Sequence, residues 1–434
     1  MAGSERHQGT RPEQGSQDRI ARAAMAGSRV LHPSVDEKLI SYHYESVIRS
    51  YLRVRSRVCA ITRTRLFTEG NIMFIRRYSF LPPVLGALVA LLGSSKGNAQ
   101  EWGSDQDSQN QADCKAKLDP QMVQVIAVYR KIAGQPIYTL TPQDARQQFS
   151  AQDAAKAIAR LKGLAEAPEP VGKVEDMRMI PGPGGPLMVR IYTPMGDGPF
   201  PVIVYFHGGG WVIATIDTYD ASARALTNLA GAIVISVEYR KAPENKFPAA
   251  VEDAFASYQW ALTNAATLNG NPDKVAVAGE SAGGNLATVV CLLARAREVK
   301  MPVHQLLVYP ITNNDTETPS YQEYAHAIPL NKPAMEWFFQ NYLENPEDGN
   351  NPLVSPLKAN LLGLPPATII GAEIDPLQSE GKQYADKLTA AGVPVDYKLY
   401  FGVTHEFFGM GAVVDKAKEA ESQAAADLRA TFSK

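Results

Sequence analysis

The stretch Gly279-Glu280-Ser281-Ala282-Gly283 comes directly after a short apolar run and directly before a segment with helical character. A serine with small residues two positions away on either side is typical of a sharp turn between a strand and a helix. Such a turn strains the backbone at the serine and makes its hydroxyl group protrude from the end of a sheet. The first amides of the following helix favour negative charge at that point. The stretch predicts Ser281 as a nucleophile, and Gly279, Glu280 and Gly283 as residues that shape the turn.

A second motif, His207-Gly208-Gly209-Gly210-Trp211, directly follows the apolar run Val202–Phe206. Consecutive glycines at a strand end leave their backbone N–H groups accessible, and converging N–H groups stabilise the oxyanion that forms during acyl transfer. We expect an oxyanion hole made by Gly209, Gly210 and Ala282, with support from Gly208. We interpret His207 and Trp211 as structural residues, with the His207 ring holding the loop by hydrogen bonds. A phosphate-binding loop is excluded because neither of the usual glycine patterns is present.

The candidate for the general base is a histidine that follows a predicted strand. Three histidines come after Ser281 in the chain: His304, His326 and His405. His304 precedes a predicted strand and His326 falls in a long insertion, whereas His405 comes just after the predicted strand Asp396–Phe401. Loops at the carboxyl ends of parallel strands meet at one edge of the sheet. We therefore predict His405 as the base. A metal site there is not expected, since no second histidine lies four residues further on.

The acid that orients this histidine should follow the preceding strand, because the chain order of such sites is nucleophile, acid, base. Ala367–Gly371 is that predicted strand, and two carboxylates, Glu373 and Asp375, come after it. We predict Asp375 as the acid, with Glu373 as the second candidate. Asp375 also precedes Pro376 and a helical segment, so an alternative role for its carboxylate is to cap that helix.

Strand-like and helix-like segments alternate along most of the chain. Two strands joined by a turn rich in Pro and Gly come first: Val174–Ile180 and Leu187–Thr193. Six more apolar runs predict strands: Val202–Phe206, Ala232–Val237, Lys274–Val277, Gln305–Tyr309, Ala367–Gly371 and Asp396–Phe401. Helical stretches separate and follow these runs: Asp220–Leu229, Pro248–Leu262, Ala282–Ala294, Leu377–Ala391 and Ala412–Phe432. The alternation indicates an α/β fold with a mostly parallel central sheet and helices on both faces.

Two further segments are candidates for a lid. Helical spacing within Leu118–Leu161 predicts two or three helices before the first strand, one of them starting at Thr141. The segment Thr312–Leu364 is too long for a simple crossover and is rich in aromatic residues. Either set of helices can cover a site or simply pack on the body, and the sequence favours neither interpretation.

The charges are distributed unevenly along the 434 residues. The formal net charge is −2, but residues 100–434 contain 28 basic and 38 acidic side chains. An acidic body of this kind does not attract nucleic acid by its overall charge. The cysteines Cys59, Cys114 and Cys291 form no metal-binding pattern. Cys291 is interpreted as a small core residue, and a Cys114–Cys291 disulfide is the alternative in an oxidising compartment.

The N-terminal region contains a segment typical of an export signal. Residues 73–99 combine a basic start, a short apolar run and small residues at their end, which are the parts of a signal peptide. We expect residues 1–72 to be an extension upstream of the true start at Met73, and residues 100–116 to be a linker. The alternative is that residues 1–72 are genuine and the apolar run is a short anchor or buried helix. The signal predicts a periplasmic or secreted protein with no stable membrane span in its mature form.

The motifs as a set closely resemble those of the hormone-sensitive-lipase-like family of bacterial esterases. The matching motifs are His207–Trp211, Tyr239–Glu244, Phe247–Ala250, Gly279–Leu286, Asp375–Leu377 and His405. The likeness runs from about Leu118 to the C-terminus and implies an α/β-hydrolase domain over residues 117–434, with a helical cap from about residues 117–170 and 312–364. It also implies a triad of Ser281, Asp375 and His405, and hydrolysis of carboxylic esters with short to medium acyl chains, without a cofactor or metal.

Three positions depart from the usual family pattern. Ala214 and Glu406 stand where glycine is common, and Lys241 stands where leucine is common. Ala214 predicts a less mobile loop after Trp211, and Lys241 places a charge near the hinge of the cap. Glu406 lies beside the predicted base and is expected to shift the pH dependence of the reaction.

Together these observations predict a serine carboxylester hydrolase that acts on small-molecule esters through an acyl-enzyme intermediate. An amidase or arylformamidase-like hydrolase is an alternative, because the same triad can cleave an activated amide. A non-catalytic binding protein on the same fold is a further alternative, which the presence of His405 disfavours. No nucleic acid partner is expected, and a homodimer is left open.

Overall fold

The protein is built around one central sheet. The structure is a computed structural model that describes residues 117–164 and 168–434. The predicted extension, export signal and linker, residues 1–116, lie outside these residues. Within them, eight strands form a sheet with the order β1-β2-β4-β3-β5-β6-β7-β8. The strands are β1 (Lys173–Ile180), β2 (Leu187–Thr193), β3 (Phe200–Phe206), β4 (Ile233–Glu238), β5 (Gly270–Glu280), β6 (Gln305–Val308), β7 (Ala367–Ile374) and β8 (Val395–Thr404). Every predicted strand is present.

The sheet is mostly parallel, as the alternation of strands and helices predicts. The β1–β2 and β2–β4 pairs are antiparallel, and the five remaining pairs are parallel. The carboxyl ends of β3, β5, β6, β7 and β8 therefore lie at the same edge of the sheet. Loops that follow different strands converge at this edge, which is where the predicted site residues occur.

The alternation of side chains along β3 explains why both faces of the sheet are covered. Val202, Val204 and Phe206 belong to one buried apolar cluster, whereas Ile203 and Tyr205 belong to another on the opposite face. Successive side chains of a strand point to opposite faces, so a central strand with two covered faces is apolar throughout. The strand consequently appears in the sequence as an uninterrupted apolar run.

Helices cover both faces of the sheet, as predicted. In the described residues they are α1 (Pro120–Ile132), α2 (Pro142–Ala145), α3 (Ala151–Leu161), α4 (Asp220–Ala230), α5 (Ala249–Asn264), α6 (Ala282–Ala296), α7 (Pro319–Glu323), α8 (Lys332–Tyr342), α9 (Gln378–Ala390) and α10 (Asp415–Phe432). None of these helices is both long and apolar enough to cross a bilayer. On α6, Cys291 is buried with a free thiol, while Cys114 lies outside the described residues.

The two lid candidates meet the body at the glycine motif. The Trp211 ring stacks on Tyr342 of α8, with the ring centroids 4.1 Å apart. Just after α2, the Arg146 guanidinium donates hydrogen bonds to the carbonyl oxygens of Val212 (2.8 Å) and Ala242 (2.7 Å). Both segments therefore contact the loop that follows β3, and their assignment as a cap stays a prediction.

Candidate active site

Ser281 lies at the junction between β5 and α6, as the sharp turn predicts. Its backbone has φ +56° and ψ −118°, a strained conformation for a residue with a side chain. The turn is fixed on both sides, because the Ser281 N–H donates to the Val308 carbonyl (2.9 Å) and the Ser281 carbonyl accepts from the Asn285 N–H (3.0 Å). Within the described residues the Ser281 hydroxyl makes no hydrogen bond, so its oxygen is not committed to a structural partner.

The glycines on either side of Ser281 are required by close backbone packing. A Cβ atom on Gly279 would lie 2.2 Å from the Gly283 backbone, and a Cβ atom on Gly283 would lie 1.9 Å from the Phe206 carbonyl oxygen. Real Cβ atoms essentially never come closer than 3.0 Å to such atoms. The start of α6 is therefore pressed against the end of β3, which brings Ser281 close to the glycine motif.

We expect Gly283→Ala to destabilise the fold by at least about 3 kcal/mol, because a rigid strand would have to shift. Thermal and urea unfolding would measure the loss, with failure to obtain soluble protein as its extreme form. Gly381→Ala in α9 is the matched control. Its Cβ would meet only a Pro310 side-chain atom at 3.9 Å, so stability should stay equal or rise by up to about 1 kcal/mol. Equal stability of both variants would contradict the packing argument.

The glycine motif forms a loop with an unusual backbone. Gly209 and Gly210 have φ values of +93° and +56°, which residues with side chains rarely adopt. A Cβ on Gly210 would lie 2.2 Å from the Phe338 ring of α8. Neither amide N–H of Gly209 or Gly210 donates a hydrogen bond to the described residues. Their N–H groups are thus available to an oxygen atom, and Ala282, the first residue of α6, lies beside the same junction.

His207 has the geometry of a structural residue. Its Nδ1 donates to the Gly208 carbonyl (2.8 Å), and its ring stacks on Tyr239 with centroids 4.3 Å apart. The Tyr239 hydroxyl donates in turn to the His207 carbonyl (2.9 Å). Burial lowers the pKa of His207 to about 4, so the ring is neutral at ordinary pH. These contacts fix the conformation of the backbone at His207 and Gly208.

His405 and Asp375 are in direct contact at the carboxyl edge of the sheet. The Nδ1 atom of His405 lies 2.7 Å from the Asp375 Oδ2 atom, and both side chains are buried. The other carboxylate oxygen of Asp375 accepts the Leu377 N–H (2.9 Å). Leu377 is itself the N-cap residue of α9, and that helix has no side-chain cap hydrogen bond, so Asp375 contacts His405 without taking the alternative capping role. Glu373, the second candidate, instead accepts the Gly402 N–H (2.7 Å).

The other two histidines occupy different places. His304 lies just before β6 and contacts Thr368 and Thr431 through its two ring nitrogens, at 3.0 Å and 3.1 Å. His326 lies between α7 and α8. The described residues contain no cluster of His, Cys, Asp and Glu side chains suited to a metal ion.

Buried tyrosines form a second layer that sequence reasoning missed. The hydroxyl groups of Tyr205 and Tyr309 donate to the two carboxylate oxygens of Glu280. The Tyr309 ring lies against His405, with centroids 4.5 Å apart. Burial raises the pKa of Glu280 to about 8. The only sequence feature that pointed to this layer was the acidic residue before Ser281, Glu280. The tyrosines come from distant parts of the chain, and in the sequence each resembles an ordinary core residue.

Two of the three departures from the family pattern contact each other. The Lys241 ammonium group donates to the Ala214 carbonyl (3.0 Å) and forms an ion pair with Glu238. Ala214 has φ +63°, which explains why glycine is the usual residue there. Lys241 therefore helps to hold a strained loop, in addition to placing a charge next to it.

Opposing effects act on the imidazole of His405. Burial lowers its pKa, but the carboxylates of Asp375, Glu406 and Glu280 outweigh burial and leave the pKa above its ordinary value. A base with a raised pKa holds a proton more firmly once it has taken it. The site thus combines a free hydroxyl at a strained turn, an imidazole oriented by a buried carboxylate, and a loop with unused N–H groups.

The chain is similar in sequence to known hydrolases. A family model described as alpha/beta hydrolase fold matches residues 203–409. The chain is 39% identical over 292 residues to a carboxylic ester hydrolase, LipN, of Mycobacterium tuberculosis, covering 65% of this chain and 77% of that protein. It is 36% identical over 289 residues to an ethyl acetate hydrolase of Pseudomonas putida, covering 65% of this chain and 88% of that protein.

Solved structures give the same result. A hyperthermophilic esterase from Pyrobaculum calidifontis is 38% identical, with a TM-score of 0.67, and the match covers 73% of this chain and 99% of that one. At this level of identity the likeness extends from the fold to the family. The chain therefore belongs to the hormone-sensitive-lipase-like family of carboxylesterases with the α/β-hydrolase fold.

Proposed function

We propose that this protein hydrolyses small carboxylic esters with Ser281 as nucleophile, His405 as general base and Asp375 as the residue that orients His405. The observation that carries the proposal is the 2.7 Å contact between the buried Asp375 carboxylate and His405 Nδ1, at the sheet edge where Ser281 stands on its strained turn. Such a contact fixes the ring tautomer so that Nε2 is free to accept a proton.

The reaction takes place in two halves. In the first, His405 Nε2 takes the proton of the Ser281 hydroxyl as its oxygen bonds to the ester carbonyl carbon. The tetrahedral intermediate then expels the alcohol, which receives the proton from His405, and an acyl-enzyme remains. In the second half, His405 takes a proton from water as the water attacks the acyl carbon, and Ser281 leaves with that proton as the acid is released.

Backbone amides stabilise the negative charge on the carbonyl oxygen in both halves. The N–H groups of Gly209, Gly210 and Ala282 are the proposed donors, with Gly208 in support. Each is a main-chain group held by packing, so it needs no reorganisation when the charge develops. The rigid contacts below the loop, including the buried His207 and Tyr239 rings, serve this purpose.

Short to medium acyl chains are the proposed substrates. One relative carries the name ethyl acetate hydrolase, and ethyl acetate is the ester of a two-carbon acid. The test is a series of p-nitrophenyl esters from acetyl to lauroyl, measured beside the matched p-nitroanilides. We expect the highest kcat/KM among the shorter esters and far lower values for every anilide. Anilide values equal to the ester values would instead support an amidase.

The assignment of the nucleophile is tested with a fluorophosphonate probe. The Ser281 oxygen should bond to phosphorus as its proton and the fluoride leave, so the intact protein should gain the mass of the probe less HF, and peptide mapping should locate the adduct at Ser281. A labelled residue elsewhere, or an unlabelled protein that still hydrolyses esters, would contradict the proposed mechanism.

A further inference from the structure

Glu406, the residue after the proposed base, has a backbone that does not suit a glutamate. Its φ is +70°, in the left-handed region that favours glycine. The conformation is held from outside, since the Gln152 side-chain amide of α3 donates to the carbonyl oxygens of Glu406 (3.0 Å) and Phe408 (2.7 Å). A side chain at this position costs stability that a glycine would not, and strain of this kind accumulates at functional sites.

The carboxylate of Glu406 has one hydrogen-bond partner among the described residues, the Tyr219 hydroxyl. Tyr219 lies just before α4 and is buried. Its hydroxyl oxygen also lies against the glycine motif, since a Cβ on Gly208 would come within 2.3 Å of it. One tyrosine hydroxyl therefore contacts the proposed oxyanion loop and orients the carboxylate beside His405.

The surroundings of the Glu406 carboxylate in the described residues contain no permanently charged cation. Among the described residues, no lysine or arginine forms a hydrogen bond or an ion pair with its carboxylate. The titratable groups that face the pair of Glu406 and His405 are acidic or phenolic. They are Asp375 after β7, Glu280 at the end of β5, Tyr309 after β6, Tyr219 before α4, Tyr205 on β3, Tyr239 after β4 and Tyr129 on α1.

Glu406 and His405 each affect the pKa of the other. Burial raises the pKa of Glu406, while the charge of His405 and the Tyr219 hydrogen bond act in the opposite direction. The charge of Glu406 in turn raises the pKa of His405. In this setting the protonated imidazole is the cation available to balance the Glu406 carboxylate.

We propose that Glu406 is a positioning residue whose carboxylate, oriented by Tyr219, acts with Asp375 to stabilise the protonated form of His405 that arises when the Ser281 proton is transferred. The proposal rests on the proposed role of His405 as base. Asp375 contacts Nδ1 directly, whereas Glu406 acts through space as a second negative charge. In family members with glycine at this position that second charge is absent.

The test measures the His405 imidazole itself as well as activity. Histidine labelled with 13C at Cε1 allows NMR titration of each ring, and a His405→Ala variant assigns the signal. In Glu406→Gln we expect the His405 pKa to fall by about 0.5 to 1 unit, because a negative charge is removed. The acid limb of kcat/KM should move to lower pH by the same amount, since the limb reports the base in the free enzyme.

Glu406→Gly keeps the test decisive if the glutamine variant folds poorly. Glycine suits the left-handed backbone, so this variant should melt at the same or a higher temperature and still show the lower His405 pKa. Glu373→Gln is the charge-matched control. It removes a neighbouring carboxylate that bonds Gly402, retains an acceptor oxygen, and should leave the His405 pKa unchanged.

Tyr219→Phe tests the orienting contact. Introduced into the wild-type protein, it should shift the acid limb of the kcat/KM pH profile. Introduced into Glu406→Gln, it should cause no further shift, because the Tyr219 hydroxyl acts through the Glu406 carboxylate. An unchanged His405 pKa in folded Glu406→Gln and Glu406→Gly proteins would overturn the inference. A His405 pKa that falls while the kinetic limb stays in place would support the interaction and contradict the assignment of His405 as base.

Discussion

Ser281→Ala is expected to lower kcat for p-nitrophenyl acetate by about 10⁵-fold or more and to leave the fold intact. The substitution removes one hydroxyl group that makes no hydrogen bond in the described residues, so no structural contact is lost. Alanine has the same Cβ as serine and meets the same strain at φ +56°. Steady-state kinetics and thermal unfolding of the purified variant check both parts of the prediction.

A second buried serine supplies the control. Ser236 lies on β4 in the middle of the sheet, is buried, and has a hydroxyl with no partner in the described residues. Ser236→Ala should therefore retain wild-type kcat and reaction with the fluorophosphonate probe. If Ser281→Ala kept more than about a hundredth of the wild-type turnover, the hydrolysis would have to use another nucleophile.

The core strands could be predicted because their physical constraint is local. β3, β6 and the second half of β5 are covered on both faces, so each reads as a short apolar run bounded by polar or turn residues. The antiparallel position of β2 beside β4 could not be predicted in this way. Strand order depends on which edges meet in space, and no local pattern encodes it.

The choice between Glu373 and Asp375 shows where sequence reasoning reaches its limit. The sequence predicts that the strand ends at Gly371, which places both carboxylates in the following loop. In the structure β7 continues to Ile374, so Glu373 lies within the strand and contacts the neighbouring strand β8, while Asp375 is the first residue beyond it. Three additional strand residues, with an irregularity in the pairing at Glu373, thus separate a structural carboxylate from the one that contacts His405.

The layer behind the site could not be predicted at all. Tyr205, Tyr219 and Tyr309 come from three separate parts of the chain, and each resembles a core aromatic residue in the sequence. Only their hydroxyl contacts with Glu280 and Glu406 distinguish them. Such contacts depend on tertiary structure, whereas the Gly-x-Ser-x-Gly turn and the glycine motif satisfy backbone requirements that are visible in the sequence itself.

Asp375→Asn is expected to lower kcat by about 10⁴-fold, because the asparagine cannot replace the carboxylate in both of its contacts. Asp375 accepts one hydrogen bond from His405 Nδ1 and another from the Leu377 N–H. An asparagine has a single acceptor oxygen. If that oxygen serves Leu377, the NH₂ group faces Nδ1, which must then be unprotonated, so the proton moves to Nε2 and the ring can no longer accept a proton from Ser281.

Glu373, two residues before Asp375, provides the comparison that decides which of the two carboxylates orients His405. Glu373 accepts one hydrogen bond, from the Gly402 N–H, and a glutamine offers an oxygen for the same contact. Glu373→Gln should therefore keep kcat within about threefold of wild type, while Asp375→Asn loses nearly all of it with a similar melting temperature. A large loss in Glu373→Gln together with near-normal turnover in Asp375→Asn would reverse the assignment. The expected contrast follows from a count of acceptors: only one of the two carboxylates serves two donors, and one of those donors is the proposed base.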